Sequence, residues 1–175
     1  MIKTIVCTDR NHGIGKSNKV TGKGELLFNI PADMRHFRQT TLGNICVFGY
    51  TTYMSLPVRP LKNRVNIVLW DQAASLDCLD GAITFNTFDS LLNFVKIMSK
   101  EYNVYICGGA SLYKAFLPYY DEVDITVVDA VDKDATAFFP NLEQAGYKPK
   151  SIMEYHADEN TNGYYISEQI WVQDK

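Results

Sequence analysis

The chain has 175 residues, of which 46% are hydrophobic and 21% charged, and its formal net charge at pH 7 is −3. These values exclude a disordered or collagen-like chain and predict a single domain over residues 1–175. Because it has no run of Lys or Arg, and no apolar stretch near the roughly 20 residues of a membrane span, neither nucleic acid nor a membrane is expected as a partner. The 4 cysteines show neither a CxxC pair nor zinc-ligand spacing, which predicts reduced core cysteines, a cytoplasmic location and no metal site.

Short runs of β-branched and aromatic residues alternate with segments of helical period along the first two thirds of the chain. The nearly continuous apolar character of these runs is typical of strands buried on both faces. The predicted strands are residues 2–7, 45–48, 65–70 and 104–107. The predicted helices are residues 31–41, 88–98 and 111–117, with a shorter helical stretch at 51–55. This alternation predicts an α/β fold with a largely parallel sheet covered by helices.

Beyond Phe116 the pattern changes to longer runs of alternating apolar and polar residues. Residues 123–131 and 164–172 favour antiparallel strands, with a turn between them near residues 160–163. The acidic residues of this region lack the Gly and carboxylate spacing of a calcium loop, so we interpret them as a solvated strand edge. They are Asp121, Glu122, Asp124, Asp129, Asp132 and Asp134.

A glycine-studded segment, residues 9–27, follows the first strand. Its GKS ending at 15–17 is that of a phosphate-binding P-loop, but Arg10 stands where that motif begins with Gly and no helix follows at once. Asn18 occupies the third Gly position of the GxGxxG dinucleotide fingerprint, so that motif is incomplete too. The segment is predicted to be a mobile loop, because loops of this length in compact domains are more often functional than idle.

Glycines also stand between a predicted strand and a predicted helix at two places. Gly49 ends the run at 45–48, and Gly108-Gly109 follows the run that ends at Cys107. Backbone N–H groups at such turns can bind phosphate, and a plain tight turn is the alternative. Two such turns at the carboxyl ends of parallel strands suit a ligand with several phosphates, such as a dinucleotide.

Asp33 is the acidic residue that we single out as a candidate for chemistry. It lies in the first turn of a predicted amphipathic helix, beside Met34 and Phe37. A carboxylate that borders an apolar face can reach a buried ligand and acquire a raised pKa, whereas the alternative role is to stabilise the helix N-terminus. The 3 histidines show no paired ligand spacing, and no hydrolase motif is present.

The order of these segments resembles the dihydrofolate reductase family from Met1 nearly to the C-terminus. The specific segments are NIPADM at 29–34 and ICGGASLY at 106–113, and the order also includes GIG at 13–15, VFG at 47–49, RPL at 59–61, RVNIVL at 64–69 and FFP at 138–140. The implied fold is a mixed, mostly parallel, twisted sheet of about eight strands flanked by helices, with a C-terminal antiparallel hairpin. The implied enzyme is a monomer that uses NADPH to reduce 7,8-dihydrofolate to 5,6,7,8-tetrahydrofolate, for one-carbon metabolism and thymidylate synthesis, and that binds antifolate inhibitors.

The resemblance also implies roles for individual residues. Asp33 is the implied catalytic residue, bound to N3 and the 2-amino group of the pteridine and braced by Thr126, and Arg64 pairs with the α-carboxylate of the glutamate tail. The implied substrate-binding residues are Ile5, Cys7, Phe28, Asp33, Met34, Phe37, Leu56, Leu61, Arg64, Cys107, Tyr113 and Thr126. The implied cofactor-binding residues are Cys7, Ile14, Gly15, Gly49, Tyr50, Thr51, Thr52, Leu69, Trp70, Asp71, Cys107, Gly108, Gly109, Ala110, Ser111, Leu112 and Tyr113. Since a carboxylate at N3 cannot reach N5, we expect water to be the immediate proton donor.

Three features of the sequence depart from the family pattern. Phe28 stands where the family usually has Trp, and the loop before it is several residues longer than in compact bacterial members. The positions that usually meet the 2′-phosphate of NADPH lack basic side chains, so NADH is a possible second cofactor. These positions are Tyr50, Thr51, Trp70, Asp71 and Ser111.

Two other functions are alternatives to dihydrofolate reduction. One is a noncatalytic folate- or nucleotide-binding module that retains the same cleft. The other is the pyrimidine reductase of riboflavin synthesis, which shares the fold. Asp33 and Arg64 argue against that reductase, because it lacks both the substrate-binding acid and the tail-binding arginine.

Overall fold

The computed structural model describes residues 1–74 and 76–174, in which strands and helices alternate along the first part of the chain. The strands are β1 (Ile2–Thr8), β2 (Gly13–Ser17), β3 (Gly24–Glu25), β4 (Ile45–Gly49), β5 (Val65–Leu69), β6 (Cys78–Leu79), β7 (Ala82–Phe85), β8 (Val104–Ile106), β9 (Glu122–Val128), β10 (Ala137–Phe138), β11 (Tyr147–Tyr155) and β12 (Ile166–Gln173). The helices are α1 (Pro31–Thr41), α2 (Tyr50–Ser55), α3 (Phe88–Met98) and α4 (Ala110–Phe116), with a 3₁₀ turn at Leu117–Tyr119.

The main sheet places β1 at its centre. Among the described residues it has 9 strands in the order β11-β12-β9-β1-β8-β4-β5-β7-β6, and the block from β9 to β7 is parallel. β12 is antiparallel to β9, and β11 is antiparallel to β12. The predicted mostly parallel α/β fold with a C-terminal antiparallel hairpin is therefore confirmed, with one strand more than the eight or so that the resemblance implied.

Two predicted helices have the bounds that the sequence indicated. α1 begins at Pro31, whose missing N–H is not needed in the first turn, and it carries Asp33 in that turn. α3 begins after Thr87, whose hydroxyl accepts a hydrogen bond from the backbone N–H of Ser90. α1 and α2 pack on one face of the sheet, and α3 and α4 pack on the other. The two helical layers bury the central strands on both faces, as their continuous apolar runs predict.

The prediction for the C-terminal region was wrong in one respect. The turn near residues 160–163 joins β12 to β11, which the sequence did not predict, and does not join it to β9. β11 is an edge strand, exposed over nearly its whole length, with Pro149 at a register shift. Because neither face of an exposed edge strand packs on a core, it lacks the apolar alternation that marks a buried strand.

The segment 9–27 was predicted to be a mobile loop, yet much of it is paired backbone. β2 is antiparallel to β3 and to β10, which forms a second sheet of 3 strands in the described chain. Asp9, which is 1% exposed, accepts hydrogen bonds from the backbone N–H groups of Asn11 (2.8 Å), Gly13 (2.8 Å) and Asp132 (3.0 Å). The Lys16 ammonium also lies 2.8 Å from the carboxylate of Asp132. These contacts tie the segment to the chain that enters β10.

Two further predictions about which residues are buried are wrong. Asp124 does not lie at a solvated edge, because β9 runs between β1 and β12 and the residue is 6% exposed. Cys78 is exposed on β6, whereas Cys46 and Cys107 are buried core thiols and Cys7 is half-buried. Across the part of the chain that the structure describes, no helix is long and apolar enough to cross a bilayer, and no group of three or more His, Cys, Asp or Glu residues suits a metal ion.

Candidate active site

Asp33 and Thr126 meet where α1 crosses the central sheet. Thr126 is buried on β9 directly opposite Cys7 of β1, so both side chains point to the face that α1 covers. The Thr126 hydroxyl lies near the Asp33 carboxylate and interacts with it, which lowers the pKa of Asp33. Desolvation by burial raises the pKa of Asp33, while the Thr126 hydrogen bond and the charge of His36 act in the opposite direction. The structure thus joins three residues that the resemblance implied, Cys7, Asp33 and Thr126.

A second polar pair lies one helical turn along α1. The Nε2 atom of His36 is 2.8 Å from Oδ2 of Asp124, and Asp124 precedes Thr126 by two residues on the same face of β9. The hydrogen bond with Asp124 raises the pKa of His36. Sequence reasoning missed this pair, although the spacing from Asp33 to His36 on a helix, and from Asp124 to Thr126 on a strand, was the available signal.

An apolar cluster lies beside Asp33 on the same face of the sheet. Its buried members include Ile5, Phe48, Tyr105 and Cys107. The side chains of Phe37, Leu56 and Leu61 pack against this cluster, as expected for the walls of a cleft that receives flat rings.

Two of the implied substrate-binding residues, Met34 and Phe28, lie outside that cluster. The side chain of Met34 is 51% exposed. Phe28 packs with Ile30, Val128 and Ile166 instead, and its ring meets that of Tyr164 edge to face at 5.2 Å. Phe28 thus packs in the same cluster as Cys7, apart from Phe37, Leu56 and Leu61.

Arg64 lies at the far end of α1 from Asp33. Its Nη1 atom donates a hydrogen bond to the hydroxyl of Thr41 at 3.2 Å, and its Nε atom donates to the carbonyl of Lys62 at 3.0 Å. Thr41 in turn donates to the carbonyl of Phe37 at 2.8 Å. These bonds hold the guanidinium at the end of the helix that carries Asp33, which suits the tail end of a long ligand.

The glycine turns after β4 and β8 touch each other. The N–H of Gly49 donates to the carbonyl of Gly108 at 2.7 Å. A Cβ atom on Gly109 would lie 2.9 Å from Oγ1 of Thr52, so a larger residue does not fit there without movement. The hydroxyl of Tyr113 lies 3.4 Å from where a Cβ on Gly108 would be, and it donates to the carbonyl of Ile5 at 3.2 Å. The absence of a Cβ at these positions thus lets the backbone of the turn pack closely on Thr52 and Tyr113.

The other predicted cofactor residues fall into three groups. Tyr50 and Trp70 stack with ring centroids 4.5 Å apart. Thr51 and Asp71, which follow them in sequence, and Ser111 of α4 are exposed. Ala110 is half-buried at the start of α4, whereas Leu69 and Leu112 pack in the core. Ile14 of β2 packs against the core cluster that contains Tyr113, and a Cβ on Gly15 would lie 3.2 Å from the carbonyl of Glu25.

Comparison with known proteins gives one consistent result. A family model described as dihydrofolate reductase matches residues 1–172. The dihydrofolate reductase of Haemophilus influenzae is 32% identical over 160 residues, which are 91% of this chain and 91% of that protein. The dihydrofolate reductase of Buchnera aphidicola is 28% identical over 171 residues, which are 97% of each chain.

A solved structure gives the same fold. The dihydrofolate reductase from Enterococcus faecalis, complexed with NADP(H) and RAB-propyl, aligns with a TM-score of 0.84 at 22% identity and covers 100% of this chain and 97% of that chain. The match of the family model over nearly the whole chain, and the Haemophilus relative, establish the family independently of this likeness. This chain belongs to the dihydrofolate reductase family.

Proposed function

We propose that the chain is an oxidoreductase that uses NADPH to reduce 7,8-dihydrofolate to 5,6,7,8-tetrahydrofolate, by hydride transfer to C6 and protonation at N5. The observation that carries this proposal is the half-buried carboxylate of Asp33, which interacts with Thr126 on the sheet face that also carries the apolar cluster. Membership of the dihydrofolate reductase family supports the same reaction.

The substrate side of the cleft provides one polar anchor at each end of an apolar wall. The Asp33 carboxylate accepts hydrogen bonds from N3 and the 2-amino group of the pteridine, while Phe37, Leu56 and Leu61 cover its rings and the aminobenzoyl group. Arg64 donates two parallel hydrogen bonds to the α-carboxylate of the glutamate tail, a geometry that guanidinium supplies and ammonium does not. The 175-residue chain has 17 basic residues against 20 acidic ones, so this arginine matters for binding a dianionic tail.

Asp33 acts on the reaction through its charge and by orienting the ring. Bound to N3, its carboxylate cannot reach N5, and the proton arrives from water. Burial raises the pKa of Asp33, so the ionised carboxylate interacts strongly with positive charge that develops on the pteridine. Asp33 therefore favours protonation of N5 without itself delivering the proton.

The glycine turns that follow β4 and β8 fit a dinucleotide. Gly49 and Gly109 bring the backbone of the two turns together, since a Cβ on Gly109 would lie 2.9 Å from Oγ1 of Thr52 and one on Gly49 would lie 3.7 Å from the backbone of Gly109. The stacked rings of Tyr50 and Trp70 offer a flat surface. When bound, NADPH supplies the hydride. Ile14 and Gly15 of β2 would cover the nicotinamide and exclude water, and the backbone carbonyls of Cys7 and Cys107 would accept hydrogen bonds from its carboxamide.

The residues expected near the adenosine ribose also support use of NADH as a second cofactor. Tyr50, Thr51 and Ser111 are uncharged, and Asp71 is an exposed acid that repels a 2′-phosphate. Comparison of kcat/KM for NADPH and NADH tests this part of the proposal. A strong preference for NADPH would refute the proposed use of NADH, and the proposed reductase activity would still stand.

Dihydrofolate-dependent oxidation of NADPH, followed in wild type and Asp33→Asn, tests the main proposal. We expect hydride transfer at pH 7 to fall by about 100-fold in Asp33→Asn, because charge-assisted hydrogen bonds to the substrate are lost. Much of the loss returns at acid pH, where the substrate arrives already protonated. Asp89→Asn is the matched control, since Asp89 occupies the first turn of α3 and is exposed.

An unchanged rate at pH 7 in Asp33→Asn would refute the assignment of Asp33. Tight folate binding without turnover would favour a noncatalytic module, and failure to bind methotrexate would favour the pyrimidine reductase. We further propose a single-domain monomer that works in the cytoplasm and binds diaminopyrimidine antifolates, which light scattering and inhibitor titration test.

A further inference from the structure

The polar contacts between α1 and β9 form two consecutive rungs. The first joins Asp33 to Thr126, and the second joins His36 to Asp124 at 2.8 Å. The two rungs share both elements, since His36 follows Asp33 by one helical turn and Asp124 lies two residues before Thr126 on the same strand face. The side chain of Asp124 is 9% exposed and that of His36 is 26% exposed, so this ion pair is largely shielded from water.

We propose that His36 and Asp124 are positioning residues for the reductase reaction: their ion pair fixes α1 on β9 and places an imidazolium beside Asp33, which keeps that carboxylate ionised when substrate binds. This inference rests on the function proposed above. Neither side chain touches the substrate in this scheme, since the pair acts through Asp33.

The groups that surround the pair explain why a cation is needed there. His36 faces Asp33 on its own helix, Asp124 on β9 and Glu168 on β12, and the hydrogen bond with Asp124 is the largest of the effects that raise its pKa. Glu168 lies directly opposite Thr126 in the sheet and accepts a hydrogen bond from Tyr155 at 3.1 Å.

Without the imidazolium, three carboxylates would face one another around a half-buried site. Asp124 and Glu168 both act to raise the pKa of Asp33, and only His36 and the Thr126 hydrogen bond act to lower it against desolvation. The other titratable groups near Asp33 are the thiol of Cys7 and the phenol of Tyr113, whose pKa values burial raises, so both stay neutral. When protonated, His36 therefore supplies the positive charge that offsets these carboxylates and lowers the pKa of Asp33.

The test measures the pH profile of hydride transfer by stopped flow, with NADPH and its deuterated form, in wild type, His36→Gln and the double variant His36→Gln/Asp124→Asn. His36→Gln removes a positive charge beside Asp33, so the enzyme–substrate complex stays protonated up to a higher pH. The rate at pH 8 then rises relative to the rate at pH 6, and the ratio of the rate at pH 6 to that at pH 8 falls about threefold. The double variant removes one positive and one negative charge, so we expect its ratio to return close to that of wild type. His156→Gln is the control, because His156 is exposed and its ring meets that of Tyr165 edge to face at 5.7 Å.

A ratio that His36→Gln leaves unchanged while its melting temperature falls would reduce the pair to a structural contact and overturn the proposal. An NMR titration of the wild-type histidines gives a second test that needs no variant: His36 should be protonated at pH 7, and a neutral ring would overturn the proposal as well. Failure of the reductase function is distinguishable, because wild type itself would then show no dihydrofolate-dependent turnover.

Discussion

Asp9 offers a test of what holds the glycine segment in place. Its buried carboxylate accepts three backbone N–H groups, two on Oδ1 and one, from Asp132, on Oδ2. In Asp9→Asn one oxygen becomes an NH₂ group of the same shape, which turns at least one hydrogen bond into a contact between two donors. Losing a hydrogen bond to a buried charged group costs about 1.5–3 kcal/mol, so we expect a loss of about 2 kcal/mol in the free energy of unfolding.

Urea unfolding and thermal melts at pH 7.5 measure this change. At about 2–4 °C per kcal/mol for a chain of this size, the melting temperature of Asp9→Asn should fall by about 4–8 °C. Asp134→Asn is the matched control: its carboxylate is 60% exposed and lies 3.6 Å from Lys19, a surface pair worth about 0–1 kcal/mol. A melting temperature for Asp9→Asn within the range of this control would refute the argument that the carboxylate anchors the segment.

Three further predictions concern the site. Arg64→Lys should raise KM for dihydrofolate about tenfold with little change in kcat, because the bidentate hydrogen bond to the glutamate tail is lost. A KM equal to that of wild type would contradict this prediction. Gly109→Ala should raise KM for NADPH about tenfold through the contact with Thr52, and Thr52→Ala in the same chain should recover part of it. Asp33→Asn should raise the urea midpoint at pH 7.5 but not at pH 3. Because burial raises the pKa of Asp33, the folded protein holds the carboxyl proton of Asp33 more tightly than the unfolded chain does. The folded state therefore loses stability between pH 3 and pH 7.5, as this carboxyl group ionises. A midpoint difference that is the same at both pH values would exclude this linkage.

The predictable part of the fold depends on signals that are local in the chain. α1 was predicted with its observed bounds because Pro31 marks its start, and the parallel strands because continuous apolar runs indicate burial on both faces. β11 was missed because an exposed edge strand with Pro149 at a register shift lacks such a pattern. The anchoring role of Asp9 was missed for a different reason: one of its partners is the backbone of Asp132, far away in sequence.

The two polar pairs of the site depend on the helical period of α1 and on the strand period of β9 together. A helix advances about 4.5 Å over three residues and a strand about 6.8 Å over two, so same-face positions on α1 and β9 can meet in consecutive pairs. Asp33 with Thr126 and His36 with Asp124 are such pairs. The acidic run around Asp124 was interpreted as solvated because, although β9 and β12 were predicted as antiparallel neighbours, no sequence signal shows that β9 also pairs with β1. Once β9 lies between β1 and β12, a polar residue on the buried face of β9 needs a partner, and the helix supplies one at the next turn after Asp33.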